Sequence, residues 1–171
     1  ERYLLVTAGG GLSLLAGILL IGVTLDTFSL SAIAAGRAQL LASPVAIPAM
    51  VLILVGAFAK SAQFPFHFWL PAAMEAPTPA SAFLHSATMV KAGVYLLARL
   101  SPAFAAVGFW RPLVVTVGLA TMVGAGLKAL RQTDLKLLLA MGTVSQLGFM
   151  TAVFGLGSTE AVVAGSAVLL I

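Results

Sequence analysis

The chain has 171 residues, of which 61% are hydrophobic and only 8% charged, with a mean hydropathy of +1.12. An average soluble domain carries about 25% charged residues, so this composition nearly excludes a soluble globule. The absence of cysteine excludes disulfides, thiolate metal sites and a cysteine nucleophile. The net charge is +4, and the basic residues mostly lie between apolar runs, as they do in the loops of membrane proteins. No nucleic-acid partner is therefore predicted.

The apolar runs predict an all-α fold, a polytopic transmembrane helix bundle with about six spans. A span needs about 20 residues, and the length allows about five or six crossings of a lipid bilayer. The runs cover 3–23, 48–70, 80–100 (closed by Ser101-Pro102), 113–127, 137–156 and a last stretch after Glu160. A short interfacial helix is predicted over 30–41. Because the chain starts without Met and stops inside an apolar run, we expect residues 1–171 to be one transmembrane domain fragment, cut at both ends.

Basic residues between the runs give an expected orientation. If successive spans alternate, four basic residues share the face of the 128–136 loop and three share the other face. The first set is Arg2, Lys128, Arg131 and Lys136, and the second is Arg37, Arg99 and Arg111. Positive residues concentrate on the cytoplasmic side, so the 128–136 loop is predicted to be cytoplasmic.

The second run contains a predicted helix break. Pro65 lies inside it, and an uninterrupted helix there would lose a hydrogen bond and clash with the preceding turn. We expect one crossing over 48–70 made of two half-helices, broken near 63–65. Broken helices recur at transporter ion sites, because unpaired backbone at membrane depth is tolerated where it lines a watery cavity.

Three ionisable side chains lie well inside predicted spans: Lys60, His85 and Lys91. A lysine at the bilayer centre costs at least about 2.5–3.5 kcal/mol, which calls for compensation. We interpret the three as an intramembrane proton or ion relay, with histidine titrating near neutral pH. The alternative is that they pair with carboxylates or fix helix packing.

Secondary site residues surround these three. The polar side chains that could hold water beside the relay are Ser61, Gln63 and Thr88. His67, beyond the break at Pro65, either lines a cavity or packs at a helix end.

The 128–136 loop holds the remaining candidates. Asp134 and Lys136 either cap and charge the next helix or contact a neighbouring subunit. No catalytic group, metal site or cofactor is predicted, since we find no metal-ligand spacing, phosphate loop or hydrolase nucleophile.

Two blocks of sequence resemble the antiporter-like subunits shared by respiratory complex I and Mrp cation/proton antiporters. The first block runs from KSAQFPFHFWLP at 60–71 through APTPASAFLHSATMVKAGVY at 76–95; the second holds QTDLK at 132–136 and SQLGFM at 145–150. The motifs FHFWLP and HSATMVK resemble the large subunit of Mrp-type antiporters more than its complex I counterpart.

The resemblance implies about fourteen core helices in two inverted repeats, each with a broken helix. Lys60 would match the central lysine of the first broken helix, and His85 and Lys91 the ionisable positions of the next helix. The glutamate that pairs with the central lysine would lie upstream of residue 1, so the fragment alone should not transport.

Three functions remain open at this point. The first is a Na⁺/H⁺ (or K⁺ or Li⁺) antiporter subunit of a bacterial inner membrane, with other membrane subunits, lipid, H⁺ and Na⁺ as partners. The second is a proton-pumping subunit of an NADH:quinone oxidoreductase or hydrogenase-type complex. The third is a structural membrane scaffold.

Overall fold

The computed structural model describes residues 2–73, 77, 89–157 and 163. Within these residues the regular structure is entirely helical, which confirms the predicted fold class. The helices in chain order are α1 (Arg2–Leu25), α2 (Leu30–Ala35), α3 (Arg37–Ala42), α4 (Ala46–Lys60), α5 (Trp69–Ala72), α6 (Met89–Phe104), α7 (Trp110–Ala129) and α8 (Leu135–Leu156), with a 3-10 turn over Phe66–Phe68.

In the part of the chain that the structure describes, three helices are long and apolar enough to cross a membrane: α1 over Leu4–Leu25, α7 and α8. Helix α4 is apolar but has only 15 residues, and together with the 3-10 turn and α5 it occupies the predicted broken span. Large apolar side chains point outward along α1, where Leu5 is 74% and Leu12 68% exposed. Such a surface suits contact with lipid or with further helices.

Glycines set the closest helix contacts. A Cβ added to Gly148 of α8 would lie 2.6 Å from the backbone nitrogen of Met122 on α7, and one added to Gly118 of α7 would lie 2.5 Å from that of Ala152 on α8. In the pair α1 and α4, a Cβ on Gly56 would lie 2.7 Å from the carbonyl oxygen of Gly10. Small residues let helix backbones approach this closely in membranes, where packing rather than the hydrophobic effect holds helices together.

Helix α6 joins the two pairs, because it contacts both α4 and α8. Its buried Val90 and Val94 belong to one apolar cluster with Trp69 and Leu70 of α5 and Val144 of α8. The interruption of the broken span therefore lies inside the bundle.

Two sequence predictions are wrong in detail. Instead of one helix over 30–41, the chain forms α2 and α3, which meet at Gly36. Helix α6 does not close at Ser101-Pro102 but continues to Phe104. Proline removes only one hydrogen bond in a last turn, and burial of Ala103 and Phe104 offsets that loss.

Apart from Val163, the predicted sixth run lies outside the described residues, and so does the first half of the third run, over 80–88.

The glycine contact between α7 and α8 is testable in the intact protein. We expect Gly148→Ala to lower the free energy of unfolding by about 1–3 kcal/mol, because its methyl group meets the backbone of α7. The measurement is thermal unfolding in detergent, followed by tryptophan fluorescence. Gly142→Ala is the matched control on the same helix, since no atom lies within 4 Å of its added Cβ; equal melting temperatures for the two variants would contradict the packing.

Candidate functional site

Helix α4 ends at Lys60, and the chain is not helical from Ser61 to Pro65. The break thus starts two residues before the predicted 63–65. The end is a Schellman-type cap in which Gln63 N–H donates to the Phe58 carbonyl at 2.9 Å, and Ala62 adopts the left-handed conformation with φ 51°. Proline disfavours the helical conformation of the residue before it, so the chain leaves the helix upstream of Pro65.

Side chains from other elements satisfy the backbone groups that the break releases. The indole N–H of Trp69, on α5, donates to the Ala59 carbonyl of α4 at 2.9 Å. Thr121 Oγ1, on α7, accepts from Phe64 N–H at 2.8 Å. Both contacts replace hydrogen bonds that an unbroken helix would make within itself, as a buried break at membrane depth requires.

Lys60 is the last residue of α4 and is half-buried. Its amine lies against α1, since a Cβ added to Gly11 would be 4.0 Å from Lys60 Nζ. Among the described residues, we find no hydrogen bond or ion pair to this amine. The carbonyl end of a helix carries partial negative charge, which favours a cation at this position.

Lys91 is half-buried on α6, the helix that crosses the end of α4. Two residues further on, a Cβ added to Gly93 would lie 2.5 Å from the Ala57 carbonyl oxygen and 3.1 Å from Ser61 Cβ. Because these backbones touch, the structure brings the helix segment of Lys91 to the end of α4 that carries Lys60. The third relay candidate, His85, and the secondary residue Thr88 lie outside the described residues and stay predictions.

The polar residues of the interruption are buried. Ser61 donates its hydroxyl to the Ala57 carbonyl at 2.7 Å, so that hydroxyl is used locally. Gln63 is fully buried, and its Nε2 donates to the Ser61 carbonyl at 3.2 Å. Its Oε1 is also buried but has no partner among the described residues. Pro65 is exposed and leads into the 3-10 turn.

His67 lies on the 3-10 turn and contacts the end of α7. Its Nε2 is 2.8 Å from Nζ of Lys128. Lys128 is not among the site residues predicted from the sequence, because 61 residues separate the two partners and nothing local links them.

Asp134 caps α8, as predicted: its Oδ1 accepts from Lys136 N–H at 2.9 Å. This is a helix N-cap, and it accounts for the position of both residues at the start of α8. The alternative, a contact with a neighbouring subunit, stays a prediction.

Residues 2–171 match the family described as NADH:quinone oxidoreductase/Mrp antiporter, TM. The chain belongs to this family. It is therefore a membrane protein, in agreement with the three membrane-length helices among its described residues.

Relatives within the family are similar over most of this chain. It is 53% identical over 158 residues to the A1 subunit of the Na(+)/H(+) antiporter of Staphylococcus aureus strain JH9, and equally to that of strain Newman. This match covers 92% of the chain but 20% of the relative. A chain in the structure of the Mrp complex from Dietzia sp. DQ12-45-1b matches with a TM-score of 0.87 and 48% identity, over 96% of this chain and 18% of that one.

The Trp69 hydrogen bond is testable against a second buried tryptophan. We expect Trp69→Phe in the intact protein to cost about 1–3 kcal/mol more than Trp110→Phe, because it leaves the buried Ala59 carbonyl without its donor. Trp110 is as deeply buried, but its Nε1 has no partner among the described residues. Chemical denaturation in detergent gives both values, and equal destabilisation would refute a role for the hydrogen bond at the break.

Proposed function

We propose that this chain is part of a subunit of a multisubunit Na⁺/H⁺ antiporter in a bacterial cell membrane. The relatives named as Na(+)/H(+) antiporter subunits support the reaction class. Other membrane subunits are the proposed partners, and Na⁺, with K⁺ or Li⁺ as alternatives, is the proposed exchanged cation. The chain spans about a fifth of these relatives, so the proposal concerns the whole protein rather than this segment alone.

We further propose that Lys60, His85 and Lys91 carry protons along the middle of the membrane. One observation carries this step: the helix ends directly after Lys60, inside the bundle, and the helix of Lys91 packs on that end. A break supplies polar backbone and space for water, and a lysine there can exchange its proton with that water. Burial disfavours the charged form of a lysine and a nearby acid favours it, so a change in either one can make the lysine release or take up a proton. An arginine stays charged and cannot do this.

Two substitutions at Lys60 test the relay in the intact antiporter. We expect Lys60→Ala to slow Na⁺-dependent proton exchange about a hundredfold or more, the lower end of the range for losing a positioned proton-transfer group. Lys60→Arg should be similarly slow, because arginine keeps the charge but does not release its proton. The rate is measured in membrane vesicles with a pH-sensitive dye after addition of NaCl.

Arg37→Gln is the control, since it removes one positive charge from an exposed site on α3 and should leave the rate unchanged. Normal exchange by Lys60→Arg would instead assign this lysine to the structural-scaffold alternative.

The second candidate, a subunit of a proton-pumping oxidoreductase, is favoured by the family description, which covers both classes. Purification of the intact complex separates the two candidates. An antiporter should carry neither flavin absorbance nor iron, whereas stoichiometric flavin and iron would support the redox complex.

A further inference from the structure

A cavity of about 210 Å³ lies between the broken span and α7. Phe64 and His67 line it from the broken span, and Ala120, Gly124 and Lys128 are among the residues that line it from α7. Phe64, Ala120 and Gly124 are exposed, so the cavity opens on the outer surface of the helices that the structure describes.

The inner part of the cavity is apolar. Its one polar lining side chain among the described residues, apart from His67 and Lys128, is Thr121. The Thr121 hydroxyl donates to the Val117 carbonyl at 2.7 Å and accepts from Phe64 N–H at 2.8 Å, so it is already bonded within the protein. An apolar cavity of about 150 Å³ stays dry and binds benzene, and this larger one therefore suits a hydrocarbon chain.

The outer end of the cavity is cationic. Lys128 lies in the last turn of α7, and its Nζ is 2.8 Å from His67 Nε2. A lysine ammonium has three N–H donors, so two remain when a neutral His67 accepts one. His67 thereby holds a flexible lysine at the cavity with donors free for an anion. The exposed Arg131 follows at the same end, and no carboxylate among the described residues pairs with either cation.

The depth of the cavity matches one leaflet of a bilayer. Helix α7 is long enough to span a membrane and ends at Ala129, which places Lys128 near the lipid headgroups. From Lys128 back to Thr121 the helix extends about 10 Å along its axis. The hydrocarbon layer of one leaflet is about 15 Å thick, half of the bilayer core. The cationic end therefore lies at headgroup level and the apolar part beside the acyl chains.

We propose that this cavity binds one anionic phospholipid from the leaflet on the side of the 128–136 loop. The lipid phosphate accepts hydrogen bonds from the Lys128 ammonium, and one acyl chain lies along Phe64, Ala120 and Gly124. Charge complementarity selects an anionic lipid, because basic residues at a membrane surface attract such headgroups. His67 is a positioning residue that acts through Lys128. The inference uses neither ion exchange nor the lysine relay, so it holds or fails independently of the proposed function.

Photolabelling of the intact protein in mixed lipid–detergent micelles locates the lipid. The probe is phosphatidylglycerol with a photoreactive group in one acyl chain, and mass spectrometry identifies the labelled residues. We expect label at Phe64 and over 120–125. Phosphatidylcholine with the same chain should label these residues about fivefold less, the effect of one basic contact near the membrane surface. Equal labelling by both lipids, or no label at these residues, would overturn the proposal.

Two variants of Lys128 test the headgroup contact. Lys128→Gln should reduce phosphatidylglycerol labelling about fivefold, whereas Lys128→Arg should preserve it, because arginine also carries a positive charge and N–H donors. Arg37→Gln is the control, since it removes one charge from an exposed site that does not line the cavity. Unchanged labelling of Lys128→Gln would refute the contact.

A substitution at Gly124 tests the position of the chain. No atom lies within 4 Å of a Cβ added there, so Gly124→Leu should fill the cavity without strain and reduce labelling of Phe64 several-fold. Gly142→Leu on α8 is the matched control, because its Cβ also enters open space but lies off the cavity. Equal labelling in the two variants would contradict a chain in this cavity.

Competition separates a phospholipid from smaller anions. Excess unlabelled phosphatidylglycerol should abolish the labelling, while inorganic phosphate or oleate at the same concentration should not, since each supplies only part of the contact. Displacement by phosphate or by oleate as complete as that by phosphatidylglycerol would overturn the assignment to a phospholipid.

Discussion

The structure depends on one constraint: a helix that stops inside an apolar bundle releases backbone groups that no bulk water can bond. Here the break after Lys60 is supported from outside the helix, by the Trp69 indole at the Ala59 carbonyl and by the Thr121 hydroxyl at Phe64 N–H. These bonds link α4, α5 and α7 at the place where the helical hydrogen bonding is interrupted. Replacing intrahelical bonds in this way is what allows non-helical backbone at membrane depth.

A close backbone contact also fixes the position of the neighbouring helix α6 against α4. Gly93 lets α6 lie against the Ala57 carbonyl, so that the Lys91 segment meets the end of α4. A larger residue would separate the two helices and with them the two lysines. Small residues therefore influence the proposed transport indirectly, by setting the distance between elements that carry charge.

The break also explains the cavity beside it. Because α4 ends at Lys60, the segment that follows leaves the helix axis and places Phe64 and His67 against α7. His67 then meets Lys128, and Gly124 leaves the wall between them open. The interruption between Lys60 and Pro65 thus produces both a lysine at a helix end and a cavity next to it, with His67 and Lys128 among the residues that line the cavity.

Local patterns predicted much of the fold. The apolar runs placed α7 and α8 to within a few residues, because the length of a membrane span is set by the bilayer. The position before an apolar run makes Thr133 or Asp134 a candidate cap, and the missing N–H of Pro65 predicts a break. Local rules were insufficient at Pro102, where burial of Phe104 prolongs the helix, and at Gly36, which divides one expected helix into α2 and α3.

By itself, the sequence determined the all-helical membrane class, the family, the break and which lysines lie within the apolar runs, since each follows from residue type or spacing along the chain. Only the tertiary structure decided which groups meet. Trp69 reaches Ala59, Gly93 reaches Ala57, and His67 reaches Lys128 across 61 residues. These contacts depend on how closely the helices pack, and that distance is a property of two surfaces together rather than of either segment.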